Sequence, residues 1–337
     1  MSNKSNAQPT AEKFKSKIGG QALIEGIMML GPTTGAMACR LPDGTIDLET
    51  WEENNGKNAP WYKKTPLVRG CTSFVISLVK GYKYMMKSAE KQLPEDEQEE
   101  NKEKEESSVY DIFMYIGILI GVAMAVGLFV FLPAALFDWT LGGMFKTVDP
   151  ATQAETYTVA GQFVKSAFCG VLKIALFIGY MLLVSQMNDM KRVFKYHGAE
   201  HKTIFCYEND EELTVENVRK QTRFHPRCGT SFLVVTLLVS IFVGLFIPVA
   251  PFGVKLLNPI FRLLLLPIMV GLGYEFIKLC GKHDNKLTRI LATPGLWAQR
   301  ITTKEPEDEM IECAIEAMKA VIPDDGSDIV NDCSCAH

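Results

Sequence analysis

The chain has 337 residues, 47% hydrophobic and 22% charged, and its mean hydropathy is slightly positive. Residues 95–106 (EDEQEENKEKEE) hold eight acids against two lysines, so the formal charge of −4 leaves +2 for the rest of the chain. That balance excludes a basic nucleic-acid-binding face, so no nucleic-acid partner is expected. Nine dispersed cysteines exclude a small disulfide scaffold. A membrane protein remains.

Residues 1–18 are expected to be disordered, and their lack of an apolar core predicts no cleaved signal peptide. Residues 19–60 are expected to form a small cytoplasmic α+β element. In it, Ala36 to Arg40 and Thr45 to Trp51 flank Leu-Pro-Asp-Gly, a hairpin signal. Within 66–92, Leu67, Val68, Phe74, Val75, Leu78, Val79 and Tyr82 recur at helical spacing. The uncharged run between Arg69 and Lys80 is too short to cross a bilayer, which predicts an interfacial or re-entrant helix. The acidic residues in 93–108 then make a solvated linker or helical extension.

Four apolar windows approach the roughly 20 residues that a spanning helix needs. They are Ile112 to Phe137, Phe163 to Met187, Ser231 to Ala250 and Lys255 to Cys280, forming hairpins over 110–187 and 231–280. The connection 138–162 contains only Lys146, whereas 188–230 contains Lys191, Arg192, Lys195, Lys202, Arg219, Lys220, Arg223 and Arg227. Basic connections stay cytoplasmic. The expected protein is therefore a mainly α, multi-pass membrane protein of the plasma membrane. It has four transmembrane helices, a cytoplasmic His-rich subdomain over 188–230, and both termini in the cytoplasm. Cysteines on that side stay reduced. In the tail 281–337, Met310, Ile311, Ala314, Ile315, Met318 and Val321 predict an amphipathic helix. The lipid bilayer is one expected partner. The acidic linker and this terminal helix are expected to engage protein partners.

The chemistry concentrates in 188–230. His197, Glu200 and His201 form H-x-x-E-H, and offsets of three and four put them on one helix face. Two such imidazoles can share a metal ion, and the carboxylate beside them can take a proton from water that the ion activates. His225 and Cys228 add H-x-x-C nearby. Zinc takes four tetrahedral N, S or O ligands, with one position open in catalytic sites. Two closures compete. A closed structural site uses His197, His201, His225 and Cys228; an open catalytic one uses His197, His201 and a carboxylate. Glu275, inside the fourth window, is the candidate carboxylate ligand, against an ion pair with Lys191, Arg192 or Lys278. Glu25 is expected to pair with Arg69 in preference to joining the site. Gly20, Gly26 and Gly31 allow close backbone approach, and Gly198 weakens the metal-site helix.

The segments IGGQALIEGIMMLGP, PLVRG, YHGAEHKTI, LTVENVR, HPRCGTSF, YEFIKL and TTKEPEDEMIECAI, in this order, resemble the family catalogued as domain of unknown function 1385. The resemblance covers roughly residues 18–320. It implies a membrane protein predicted to be a metal-dependent enzyme, and it directs attention to His197, Glu200, His201, His225 and Cys228. Leu30 departs from a position where relatives look basic. The expectation is a membrane metalloenzyme, hydrolytic in type, with Zn²⁺ or another divalent transition metal at the cytoplasmic membrane face. Glu200 is its general base, and His225 or Glu275 completes the ligands. The rival is a non-catalytic scaffold or biogenesis factor clamped by a structural metal.

Overall fold

A computed structural model describes residues 14–55, 59–94, 108–148, 155–246, 263–282 and 286–330. Four sequence expectations lie wholly or partly outside the described residues. They are the N-terminal residues 1–13, the acidic segment 95–107, the turn and flanks at 247–262, and the tail from 331.

The N-terminal region is an antiparallel meander of β1 (Gly19–Leu23), β2 (Gly26–Leu30), β3 (Thr34–Arg40) and β4 (Ile46–Glu52). The β3–β4 hairpin forms where the Pro-Asp-Gly signal predicts it, with Arg40 opposite Ile46. Leu41 N–H donates to Thr45 at 2.8 Å, Asp43 accepts from Thr45 N–H at 2.8 Å, and Gly44 takes φ +88°. That φ favours glycine because a Cβ would clash with the backbone.

Successive side chains of a strand point to opposite faces, and here both faces are covered. Ile27, Met29, Ala36 and Ala38 pack into one core, and Met28 and Met37 into another. Helix α1 (Val68–Glu90) covers the second face, stacking Tyr84 on Trp51 with ring centroids 4.2 Å apart. The adjacent Met28 and Met29 are therefore both core, on opposite faces of the sheet.

Beyond α1 lie α2 (Ser108–Val126), a π turn at Gly127–Phe131, α3 (Leu132–Thr140) and α4 (Gly142–Phe145). A two-stranded ribbon, β5 (Lys146–Val148) with β6 (Glu155–Tyr157), leads to α5 (Val159–Val184). Among the described residues, Leu119–Thr140 and Val159–Val184 are long and apolar enough to cross a membrane. At the β5–β6 end of this hairpin, Lys165 donates to Asp138 at 2.7 Å.

The chain continues through α6 (Asn188–Glu208), α7 (Val215–Lys220), α8 (Gly229–Phe246), α9 (Leu266–Lys282), α10 (Lys286–Thr302) and α11 (Asp308–Val321). The third window corresponds to α8, which is apolar. The described part of the fourth corresponds to α9.

Helix α11 forms where the spacing predicts it, with Glu307 as N-cap and Asp308 and Glu309 in the first turn, favourable beside the helix dipole. Its apolar face meets β2, β3 and α6, burying Met310, Ile311, Ala314 and Met318. That apolar face is thus buried within the chain. Burial of such side chains contributes about 1.5–3 kcal/mol each. The disorder expected over 1–18 also needs correction at its end. Lys17 N–H donates to Asp328 at 2.7 Å, Val330 N–H to Lys15 at 2.8 Å, and Phe14 packs edge-on against Tyr207.

Candidate metal centre

Helix α6 carries the H-x-x-E-H residues on the face toward the Phe224–Cys228 loop and the segment after α10. Gly198 contributes more than its low helix propensity suggests, because a Cβ there would overlap the Lys304 carbonyl. Lys304 N–H in turn donates to the Phe194 carbonyl at 2.8 Å. The TTKE segment is thereby laid along α6.

This contact sets the first candidate ligand. His197 Nδ1 lies 2.9 Å from the Thr302 carbonyl, and only a protonated nitrogen can face that oxygen. His201 Nδ1 likewise lies 2.6 Å from the Arg223 carbonyl. In both rings Nε2 is left to bind. Metal-ligating histidines use the same arrangement, in which a carbonyl on the far nitrogen fixes tautomer and orientation.

Cys228 completes a trio. Its Sγ lies 3.1 Å from His197 Nε2, and one ligand atom from each of His197, His201 and Cys228 falls within 4.8 Å of the others. Cys228 immediately precedes α8, and Thr230 N–H and Oγ lie 3.4 and 3.2 Å from its sulfur. Burial pushes the thiol up, but the His197 and His201 imidazoles outweigh it and hold Cys228 well below the ordinary thiol value. Burial pulls His197 down, and the Cys228 thiolate more than reverses this, to about 9.

Two buried atoms at this point have no hydrogen-bond partner: His201 Nε2 and Glu200 Oε2. An unsatisfied buried polar atom costs about 1–3 kcal/mol. The Gly20 amide donates to the Glu200 carboxyl group, and a Cβ on Gly20 would stand 3.0 Å from Glu200 Cδ. The close approach anticipated for Gly20 therefore serves Glu200. Two imidazoles and a thiol make up the donor set, with the Glu200 carboxyl group beside them. The trio could hold a metal ion.

His225 sits beside this trio but is engaged elsewhere. Its ring is 5.5 Å from that of His201, while Nδ1 accepts from Arg227 N–H at 3.3 Å and Nε2 is 3.9 Å from Glu208 Oε2. Burial, with Arg227 beside it, lowers His225 to about 4 despite Glu208. Glu208 is itself buried, bonded to Ser16 N–H at 2.7 Å and paired with Arg227. His225 therefore belongs to a buried cluster that braces the loop carrying Cys228.

Glu275 is also elsewhere, bound to Arg69 through Nε at 2.7 Å and receiving Leu67 N–H at 3.3 Å. Glu25, expected to pair with Arg69, instead meets Arg192 Nη2 at 2.6 Å and Tyr196 Oη at 3.2 Å. The carboxylates exchange partners because α1 delivers Arg69 to α9, while the β1–β2 turn delivers Glu25 to α6.

Several working groups were invisible in the sequence. The Thr302 and Arg223 carbonyls and the Gly20 amide are backbone, which any residue type supplies. Gln299 is buried, accepts from His225 N–H at 2.8 Å, and donates to the His225 carbonyl at 2.6 Å and Ser231 Oγ at 2.8 Å. Its helical spacing from Thr302 and Thr303 was the only available signal.

Residues 65–324 match the family described as protein of unknown function (DUF1385). The chain is 34% identical over 313 residues, 92% of its own length and 93% of the relative's, to the uncharacterized protein YqhQ of Bacillus subtilis (strain 168). No solved structure matches. On this match and this identity, the chain belongs to the DUF1385 family.

Proposed function

We propose that this protein is a multi-pass membrane metalloenzyme of hydrolytic type, with its site at the cytoplasmic membrane face. Four spans are proposed: Leu119–Thr140, Val159–Val184, α8, and α9 with the residues before it. The termini and the 188–230 connection are then cytoplasmic, in keeping with the eight lysines and arginines of that connection. His197, His201 and Cys228 hold the ion, with Zn²⁺ the ion that best matches the donors. The observation that carries this proposal is the pair of His Nδ1–carbonyl bonds that turn both Nε2 atoms toward Cys228.

A divalent ion bound there supplies Lewis acidity, which polarises an acyl or phosphoryl oxygen and makes water more acidic. Glu200 accepts the proton at Oε2, the oxygen left without a partner, and returns it to the leaving group. The Gly20 amide holds the carboxyl group in place. The buried Gln299 and the His225–Glu208–Arg227 cluster keep the Cys228 loop in position.

Metal analysis of purified protein after addition of Zn²⁺ tests the site. The expected result is one ion per wild-type chain and per Glu200→Gln chain. A wild-type protein that takes up no stoichiometric ion would refute the proposal. Complementation of a strain lacking the protein then tests the chemistry, since loss of a general base costs about 10² to 10⁴ in rate. Glu200→Gln is expected to fail as completely as His201→Ala.

A second reading, a non-catalytic scaffold with a structural metal, is favoured by the burial of Glu200, His201 and Cys228. Under it, Glu200→Gln binds metal and still complements.

A further inference from the structure

Helix α1 carries its polarity the wrong way round for a helix in water. Two of its lysines and the lysine that caps it face the protein, where Lys80 pairs with Glu53, Lys87 with Glu49, and Lys91 with Asp47 and Glu49 of β4 and its end. A stripe of its apolar residues faces outward, while Tyr84 and Met85 pack on the sheet. Val75, Leu78 and Val79 are 56%, 57% and 63% exposed, and Tyr82 and Met86 continue the stripe. At 1.5 Å per residue, Val75 to Met86 is a band about 17 Å long. A contiguous exposed apolar band of this kind marks a contact surface.

The structure also indicates what covers it. The start of α1 is fastened to α9. A Cβ on Gly70 would stand 2.7 Å from Tyr274 Cβ, and one on Gly271 would stand 2.7 Å from the Leu67 carbonyl. Arg69 pairs with Glu275, and Phe74 packs on Phe232 near the start of α8, ring centroids 5.6 Å apart. The outward stripe is thus continuous with the apolar helices α8 and α9, at the end of α8 that follows Cys228. At the other end, α1 lies against the sheet, where Ser88 Oγ accepts from Ile24 N–H at 3.2 Å.

We infer that the outward face of α1 lies within the cytoplasmic leaflet, with Val75, Leu78, Val79, Tyr82 and Met86 in contact with lipid. An amphipathic helix buries such a face at the boundary between headgroups and acyl chains. Lys83, exposed at the edge of the stripe, is placed to meet anionic headgroups. This inference rests on the reading of α5, α8 and α9 as spanning helices, and goes beyond it by assigning lipid contact to a helix too short in apolar length to span. It also explains how the globular part is seated: the helix that meets lipid is the one that backs the sheet holding Glu200.

Photo-crosslinking of the full chain in phosphatidylethanolamine–phosphatidylglycerol vesicles tests it. Leu78→p-benzoylphenylalanine and Tyr82→p-benzoylphenylalanine place the probe on the stripe, and Val171→p-benzoylphenylalanine places it on α5. All three side chains are exposed, so the bulk is accommodated. Lipid adducts at 78 and 82, as at 171, are expected. Lipid at 171 with a covalent dimer, an intramolecular crosslink or no adduct at 78 and 82 overturns this inference alone. Loss of lipid adducts at all three positions overturns the spanning reading, and this inference with it.

Discussion

The sheet–α6–α11 globule and the α2–α5 hairpin handle polarity in opposite ways. In the globule, charged and titratable groups are inside: Lys202, Glu208, His201 and Glu200 are buried, most of them bonded across long sequence distances. In the hairpin, apolar side chains are outside, with Leu119, Met124, Val171 and Leu183 each about two-thirds or more exposed. The globule hides polar groups because most find a partner, Glu200 Oε2 and His201 Nε2 at the candidate site being exceptions, and an unpaired buried charge is costly. The hairpin leaves apolar surface uncovered, which is favourable where the surroundings are apolar as well. Helix α1 joins the two regimes, paired lysines facing the sheet and apolar residues facing out.

The largest expected effect breaks the globule's core. Ile311→Ala removes a fully buried side chain of α11 packed in the sheet core and should cost about 4 kcal/mol, within the usual 2–5 for such truncations. Thermal or denaturant unfolding of the detergent-solubilised protein measures it. A cost under about 1 kcal/mol would show that α11 is not part of this core.

Next comes the buried ion cluster. Glu208→Gln leaves Arg227 uncompensated and should cost about 3 kcal/mol, at the low end for a broken buried pair. The pH dependence carries a definite sign. Burial raises Glu208, but His225 and Arg227 outweigh it and hold the carboxyl below its ordinary value. A depressed folded-state pKa gives stability that is complete above the unfolded carboxylate value and lost as pH falls through the folded one. Wild-type protein should therefore lose its advantage over Glu208→Gln on acidification below the ordinary carboxylate range. An unchanged difference between neutral and acid pH would contradict the cluster.

His201→Ala should weaken Zn²⁺ binding about 100-fold, close to 2.7 kcal/mol, since even outer-shell partners are worth about 10 to 100-fold. His225→Ala should bind markedly better than His201→Ala, because His225 Nε2 faces Glu208. Equal losses in competition titrations would return His225 to the ligand set.

The smallest effect sharpens the hairpin side of the comparison. Val171→Ala, on the exposed surface of α5, should change detergent-state stability by no more than about 0.5 kcal/mol. A cost like that of Ile311→Ala would mean that this surface is packed in the solution state.

The local features were legible in the sequence. Asp43-Gly44 specified the hairpin turn, the spacing of Met310 to Val321 specified α11, and His197, Glu200 and His201 shared a helix face. The candidate trio was legible within a larger set, since the closed grouping put His197, His201 and Cys228 together with His225. The H-x-x-C spacing could not show that Arg227 and Glu208 would engage His225.

Turns, helical periodicity and apolar length were determined by the sequence alone, because each depends on residues within a few positions of one another. Tertiary structure decided which carboxylate met which arginine, Glu25 with Arg192 and Glu275 with Arg69, and which carbonyl turned each histidine. It also decided that α11 packs inward while α1 turns its apolar stripe outward. Composition counts the charges available for pairing. Distance and burial choose among them, and these exist only once the sheet, α6 and the segment after α10 have come together.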